Sequence, residues 1–197
     1  MSLTLTGPRL VLRDFAPDDW PDVYAFASPP EAAQFQTWGP HSPEDSRGYV
    51  VRAIASAQDD PRLRFRLATV LSAQGKVIGA GDLKIHSQQF RNGEIGYAIH
   101  PDYWGQGYAT EVARLLLEFG FASLGLHRIG GTCDPRNIAS ARVLEKVGMQ
   151  YEGRLRETLL IRDGWRDSSL YSILEHEWRA VAHRLGPIVY DRPMSTQ

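Results

Sequence analysis

The chain has 197 residues, of which 43% are hydrophobic and 23% charged, and its formal net charge is -1. That length suits one compact domain with a short tail, and the near-zero charge gives no global pull toward nucleic acid or an anionic membrane surface. The single cysteine, Cys133, excludes an intramolecular disulfide framework and a cysteine-rich zinc site, and it fits a reducing cytoplasm. The six histidines show no spacing that builds a metal site. The first residues lack the basic region and apolar core of a cleavable signal, and no apolar run approaches the ~20 residues of a membrane helix.

Arg9 to Arg13 alternates polar and apolar residues and predicts the first strand. Pro17 to Ala27, carrying Trp20, Val23, Tyr24 and Phe26, predicts a helix that Pro29-Pro30 should stop. After an irregular stretch from Phe35 to Pro40, Ser42 is positioned to cap a second helix running to about Ala57. Phe65 to Leu71 and Val77 to Ile85 predict a hairpin, and a polar loop from His86 to Asn92 follows.

Glu94 to His100 reads as a central strand with Ile95, Tyr97 and Ile99 on one side, ended by Pro101. Trp104-Gly105-Gln106-Gly107-Tyr108-Ala109-Thr110 then forms a glycine turn, and from Gly107 the apolar residues Val112, Leu115, Leu116 and Phe119 fall at helical spacing. Orphan amides and the macrodipole make such a helix start a cradle for phosphate oxygens. The turn alone does not identify the anion, and it also suits a tight connection. No Lys-Ser or Lys-Thr follows it, so it is no P-loop, and Gly105, Gly107 and Ala109 depart from the dinucleotide fingerprint.

Beyond this helix, His127 to Cys133 predicts a short strand with two glycines, and Asn137 caps a helix from about Ile138 to Val147 that Gly148 closes. Met149 to Ile161 and Trp165 to Leu174 predict a last hairpin turned at Asp163-Gly164. A short helix from about Glu175 and a poorly ordered tail from Pro187 to Gln197 complete the reading. Residues 1–180 are expected to form one domain and 181–197 a C-terminal extension.

Glu94-Ile95-Gly96-Tyr97, Pro101 to Glu111 and Asn137 to Met149 together resemble the GNAT acetyltransferases, specifically the RimJ/RimL-like branch. Trp104 to Ala109 is similar to the family's coenzyme A loop, with Trp104 standing where Gln or Arg is commonest. The resemblance implies an α/β fold with a mixed, largely antiparallel central sheet flanked by helices. It implies acetyl-CoA as cofactor, gripped by Trp104, Gly105, Gln106, Gly107, Tyr108, Ala109 and Thr110, with its pantetheine arm along Ala98, Ile99 and His100. Asn137 and Ser140 face the cofactor from the second motif. Glu94 is the candidate general base. Leu144 stands where many relatives carry a tyrosine acid, which leaves Ser140 as the candidate proton donor, with Tyr97 and Tyr151 as alternatives.

A lone strand cysteine is more often a small core residue than a nucleophile, and Cys133 is read so. Trp38, in a glycine- and proline-flanked loop, is the aromatic residue expected to meet the acceptor alongside Glu94. Arg154, Arg156, Arg162 and Arg166 are read as a solvated face, with attraction of an acidic acceptor as the alternative. The expected activity is N-acetylation of a primary amine, with a protein or peptide N-terminal α-amine favoured. A small-molecule amine such as an aminoglycoside, polyamine or amino acid is the alternative, as is an acyl-CoA-binding module without catalysis. The apolar strand Tyr171-Ser172-Ile173-Leu174 and Trp178 are expected to offer an edge through which a homodimer could form.

Overall fold

The computed structural model describes residues 3–162 and 164–182 and the strand Val189–Tyr190. Strands β1 (Thr4–Thr6) and β2 (Leu10–Asp14) lead to a 3-10 turn at Pro17–Asp19 and helix α1 (Trp20–Ala27). The chain does not leave helical structure at the two prolines. Pro30 occupies the first position of α2 (Pro30–Ala33), where its missing N–H leaves nothing unsatisfied. Helix α3 (Pro43–Ser56) begins at Ser42, whose hydroxyl accepts the Asp45 N–H at 3.1 Å while the Asp45 carboxylate accepts the Ser42 N–H at 2.9 Å.

Strands β3 (Arg64–Leu71), β4 (Lys76–Ser87) and β5 (Asn92–Ile99) form the centre of the sheet. Helix α4 (Tyr108–Glu118) continues through a π turn at Phe119–Ser123 into β6 (Arg128–Cys133). Helix α5 (Ile138–Lys146), strands β7 (Gln150–Ile161) and β8 (Gly164–Leu174), helix α6 (Glu175–Ala182) and β9 (Val189–Tyr190) follow. The sheet order is β7-β8-β6-β5-β4-β3-β2-β1-β9. Every neighbouring pair is antiparallel except β5 and β6, which the α4 crossover makes parallel. The turn residue Asp163 lies outside the described residues.

The sheet buries apolar side chains on both faces. Val112, Leu115 and Leu116 of α4 and Leu144 of α5 pack with Leu12, Leu67, Leu83, Ile95 and Ile129 on one side. Val23 and Phe26 of α1 and Val50 and Ala53 of α3 pack with Phe15, Ala68, Val70 and Ala80 on the other. Trp20 is only partly buried beneath the Arg47 guanidinium, and Tyr24 is exposed. In β6 a Cβ at Gly131 would meet Leu144 Cδ2 at 2.9 Å, so the glycine that weakens the strand pattern is what lets α5 lie close against it.

Two expectations at the C-terminal end are corrected. Strand β8 lies inside the sheet, hydrogen-bonded to β6 on one side and β7 on the other, so Tyr171 to Leu174 offers no free edge. Trp178 is buried, stacked on Phe121 with its indole N–H donated to Glu118 at 2.8 Å. The surface on which the expected homodimer rested is therefore inside the molecule. In the expected tail, Val189–Tyr190 pairs with β1 and extends the sheet, and the rest of 187–197 lies outside the described residues.

Candidate active site

The parallel pair is joined for only three residues. Asn92, Gly93 and Glu94 lie opposite Arg128, Ile129 and Gly130, and beyond this register β5 and β6 separate. Antiparallel strands exchange hydrogen bonds at alternate residues. His100 N–H donates to the Ile78 carbonyl at 2.8 Å, so the other set in β5, Ile95, Tyr97 and Ile99, turns its backbone groups away from β4 and toward the gap. The Ile99 carbonyl takes the Trp104 indole N–H at 2.6 Å. Both backbone groups of His100 are committed, since its carbonyl accepts the Tyr103 N–H at 2.9 Å. Among the described residues the backbone groups left open along β5 are therefore those of Tyr97 and the N–H of Ile99, whereas the pairing expected at His100 finds both of its groups taken.

The gap opens into a cleft of about 430 Å³ lined by Tyr97, Ala98 and Ile99, by the Trp104–Thr110 turn and by Asn137, Ser140, Arg142 and Lys146 of the α5 segment. Gly105 and Gly107 have φ of 74° and 82°, a left-handed backbone that side-chain-bearing residues rarely adopt. The first backbone bond of α4 runs from Glu111 N–H to the Gly107 carbonyl at 3.1 Å, which leaves the amides of Tyr108, Ala109 and Thr110 without an intrahelical acceptor. Arg9 braces the turn. It donates to the Gln106 carbonyl at 2.9 Å and to Glu111 at 2.9 Å, and it covers the Tyr108 ring at 4.4 Å. Arg142 and Lys146, one helical turn apart, add positive charge to the same cleft; neither stood out in the sequence among ordinary surface cations.

On the opposite wall Asn137 caps α5, its side-chain oxygen accepting the Ser140 N–H at 3.0 Å. The Ser140 hydroxyl lies 3.1 Å from the Tyr97 hydroxyl, and burial pushes the Tyr97 phenol well above its ordinary range. Leu144 is buried and supplies no hydroxyl. Tyr151 is exposed, with its ring against Tyr171. Cys133 is buried too, and its burial pushes the thiol upward, so it is mostly protonated near neutral pH. Cys133→Ala is expected to retain most acetyl transfer; loss of turnover in a folded variant would assign the thiol a chemical role.

Beside the cleft, a smaller cavity of about 110 Å³ reaches past the gap to Phe35, Gln36, Gly96, Thr132, Asp134 and Arg166. Glu94 stands at the strand pair that closes the gap, with its carboxylate 37% exposed. One oxygen accepts the Thr132 hydroxyl at 3.0 Å, and the other lies 3.2 Å from His86 Nε2. The side chain is thus held and open to solvent, and it lines neither cavity itself, reaching the smaller one only through its Thr132 partner. Trp38 lines neither cavity; it packs against the α1–α3 core and meets His41 edge-on at 5.1 Å. Its neighbours Phe35 and Gln36 line both.

The final hairpin is not a uniform solvated face. Arg162 donates to the Trp38 and Ala33 carbonyls at 2.7 Å each, and Arg166 donates to the Phe35 carbonyl at 2.6 Å, so two arginines clamp the Ala33–Trp38 loop. Arg154 pairs with Asp167 at 2.6 Å, and Arg156 is exposed. Among the described residues no group of His, Cys, Asp and Glu forms a candidate metal cage, and no helix is long and apolar enough to cross a membrane.

A match to the acetyltransferase (GNAT) domain spans residues 9–150. The chain is 32% identical over 174 residues to the uncharacterized N-acetyltransferase YnaD of Bacillus subtilis, covering 88% of this chain and 98% of that one. It is 28% identical over 111 residues to the spermidine N(1)-acetyltransferase of Escherichia coli, covering 56% of this chain and 60% of that one. The crystal structure of a GNAT-family acetyltransferase from Bacillus anthracis superposes with a TM-score of 0.79 at 29% identity, over 88% of this chain and 99% of that chain.

Proposed function

The chain belongs to the GNAT acetyltransferase family, and from that membership we propose that it moves the acetyl group of acetyl-CoA to a protein or peptide N-terminal α-amine, as a RimJ/RimL-like enzyme. The observation that carries the cofactor assignment is the gap between β5 and β6 with unused amides at its mouth. Gly105 to Thr110 present N–H groups and a helix N-terminus to the pyrophosphate. Tyr97 and Ile99 offer the backbone edge for the pantetheine arm, and Ala98 lines the same cleft. Arg142 and Lys146 are suited to further phosphate oxygens. Acetyl-CoA supplies the activated acyl group; the chain supplies position and proton transfer.

Glu94 takes the proton that an amine must shed to become a nucleophile, directly or through a water. The demand on it is modest for an α-amine, with reference pKa about 7.7–8.0, and large for lysine at about 10.4. Ser140 delivers a proton to the departing thiolate, with the Tyr97 hydroxyl behind it at 3.1 Å. Ser140→Ala is expected to slow turnover by roughly 10-fold, below the usual loss for a full general acid, with little change in coenzyme affinity. A fully active variant would place the donor elsewhere, Tyr97 first.

The peptide reading draws support from the absence, among the residues lining the two cavities, of an acidic cluster able to hold a polycation: Glu31 and Asp134 are their only carboxylates. Free-thiol release from acetyl-CoA, measured with a peptide library beside aminoglycosides and polyamines, tests it. Turnover with peptides is the expected result, and robust turnover confined to the small amines would overturn it.

A further inference from the structure

Arg166 of β8 is 8% exposed and lines the smaller cavity with Phe35, Gln36, Thr132, Asp134 and Ser140. It donates one hydrogen bond to the Phe35 carbonyl and one to the Ser168 hydroxyl at 3.3 Å, which leaves three of the five guanidinium N–H donors without an acceptor among the described residues. Its Nε is buried with no partner, and among the described residues no carboxylate lies within ion-pair distance of it. Asp134 is near enough to feel its charge, but both Asp134 oxygens are bound by Arg136, at 2.8 Å to the backbone N–H and 3.0 and 2.8 Å to the guanidinium.

A buried cation without a bonded counter-ion costs free energy, and a carboxylate that enters beside it is rewarded by charge-assisted bonds in a fork geometry. The cavity that holds it is also lined by Tyr97 and Cys133 at the gap. An amine arriving there to meet the acyl group carries its substituents into the same space. We propose that the acceptor is a primary amine bearing a carboxylate a few bonds away, and that Arg166 is the residue that receives it. This rests on the acetyltransferase reading and narrows its acceptor. Two sources share that chemistry, a free amino acid and a peptide whose first residue is acidic.

Matched acceptors test the assignment: alanine against alaninamide, and a peptide amide beginning with Asp against the same peptide beginning with Asn. The carboxylate member of at least one pair is expected to be preferred by about 10-fold or more in kcat/KM, in line with a charge-assisted bond, and the pair that shows it identifies the source. Arg166→Met should lower that ratio by about 10-fold or more, leaving only the difference set by the two amines' own basicities, with coenzyme A affinity unchanged. Arg162→Met, which loosens the same loop without touching the cavity, should preserve the ratio. If Arg166→Met does not melt cooperatively, Arg166→Lys carries the comparison, and it should weaken the preference because an ammonium cannot present a fork. The proposal is overturned if the parent shows no preference, if either Arg166 variant retains it in full, if Arg162→Met abolishes it, or if Arg166→Met slows both members of a pair equally. Should no amine be acetylated, titration of glutarate into the coenzyme A-loaded protein still decides the site. Binding that Arg166→Met abolishes supports it, and no binding by the parent contradicts it.

Discussion

Glu94→Gln is expected to lower kcat by ~10² to 10⁴, the range for a lost general base, while acetyl-CoA binds nearly as before. The substitution keeps the side chain's length and its oxygen toward the Thr132 hydroxyl, so the three-residue junction of β5 and β6 is preserved. What it removes is the ability to hold a proton. The loss should therefore be larger for a more basic acceptor amine, which depends more on a proton acceptor. A slowed variant whose loss is the same for weakly and strongly basic amines would reassign Glu94 to orienting the acceptor.

The second large effect belongs to the cradle. Gly107→Val is expected to weaken acetyl-CoA binding by roughly 100-fold or more, the equivalent of two lost hydrogen bonds to charged groups. At φ 82° a β-branched residue is strained by about 1–2 kcal/mol or more, and it relieves that strain by turning the local amides. The fold has room for the change, since a Cβ there would meet only Arg9 Nη2 at 3.6 Å. Cooperative melting with lost binding, followed by isothermal titration, is the expected pair of results; unchanged affinity would remove the turn from the cofactor site.

The turn and helix at Trp104 to Phe119 were legible because glycine spacing, an apolar stripe and a helix start are all local signals. The caps at Ser42 and Asn137 were legible for the same reason, and each side chain makes its bond to the third residue of its helix. The hairpin of β7 and β8 was legible as a pair, but nothing local says which of its strands joins the sheet. It is β8, through six residues of β6, and this turned an expected edge into an interior strand. Short elements escaped as well: β1 has three residues and α2 four, too few for a period to show.

The acceptor side was the least legible. Arg162 and Arg166 read as surface charge, yet they reach carbonyls more than 120 residues earlier, at Ala33, Phe35 and Trp38. No spacing rule reports such a contact. The same distance in sequence explains why Trp38 was singled out over Phe35 and Gln36. Composition marks an aromatic residue in a flexible-looking loop, while the clamp that turns the loop decides which neighbours face the cavity.

A crystal structure of the protein with acetyl-CoA is the sharpest test of whether one gap in the sheet holds the cofactor and aims it. The pyrophosphate is expected on the amides between Gly105 and Thr110, the arm paired with Tyr97 and Ile99, and the acyl group between Glu94 and Ser140. Density for the coenzyme outside the gap between β5 and β6, or a pyrophosphate held away from the start of α4, would contradict it.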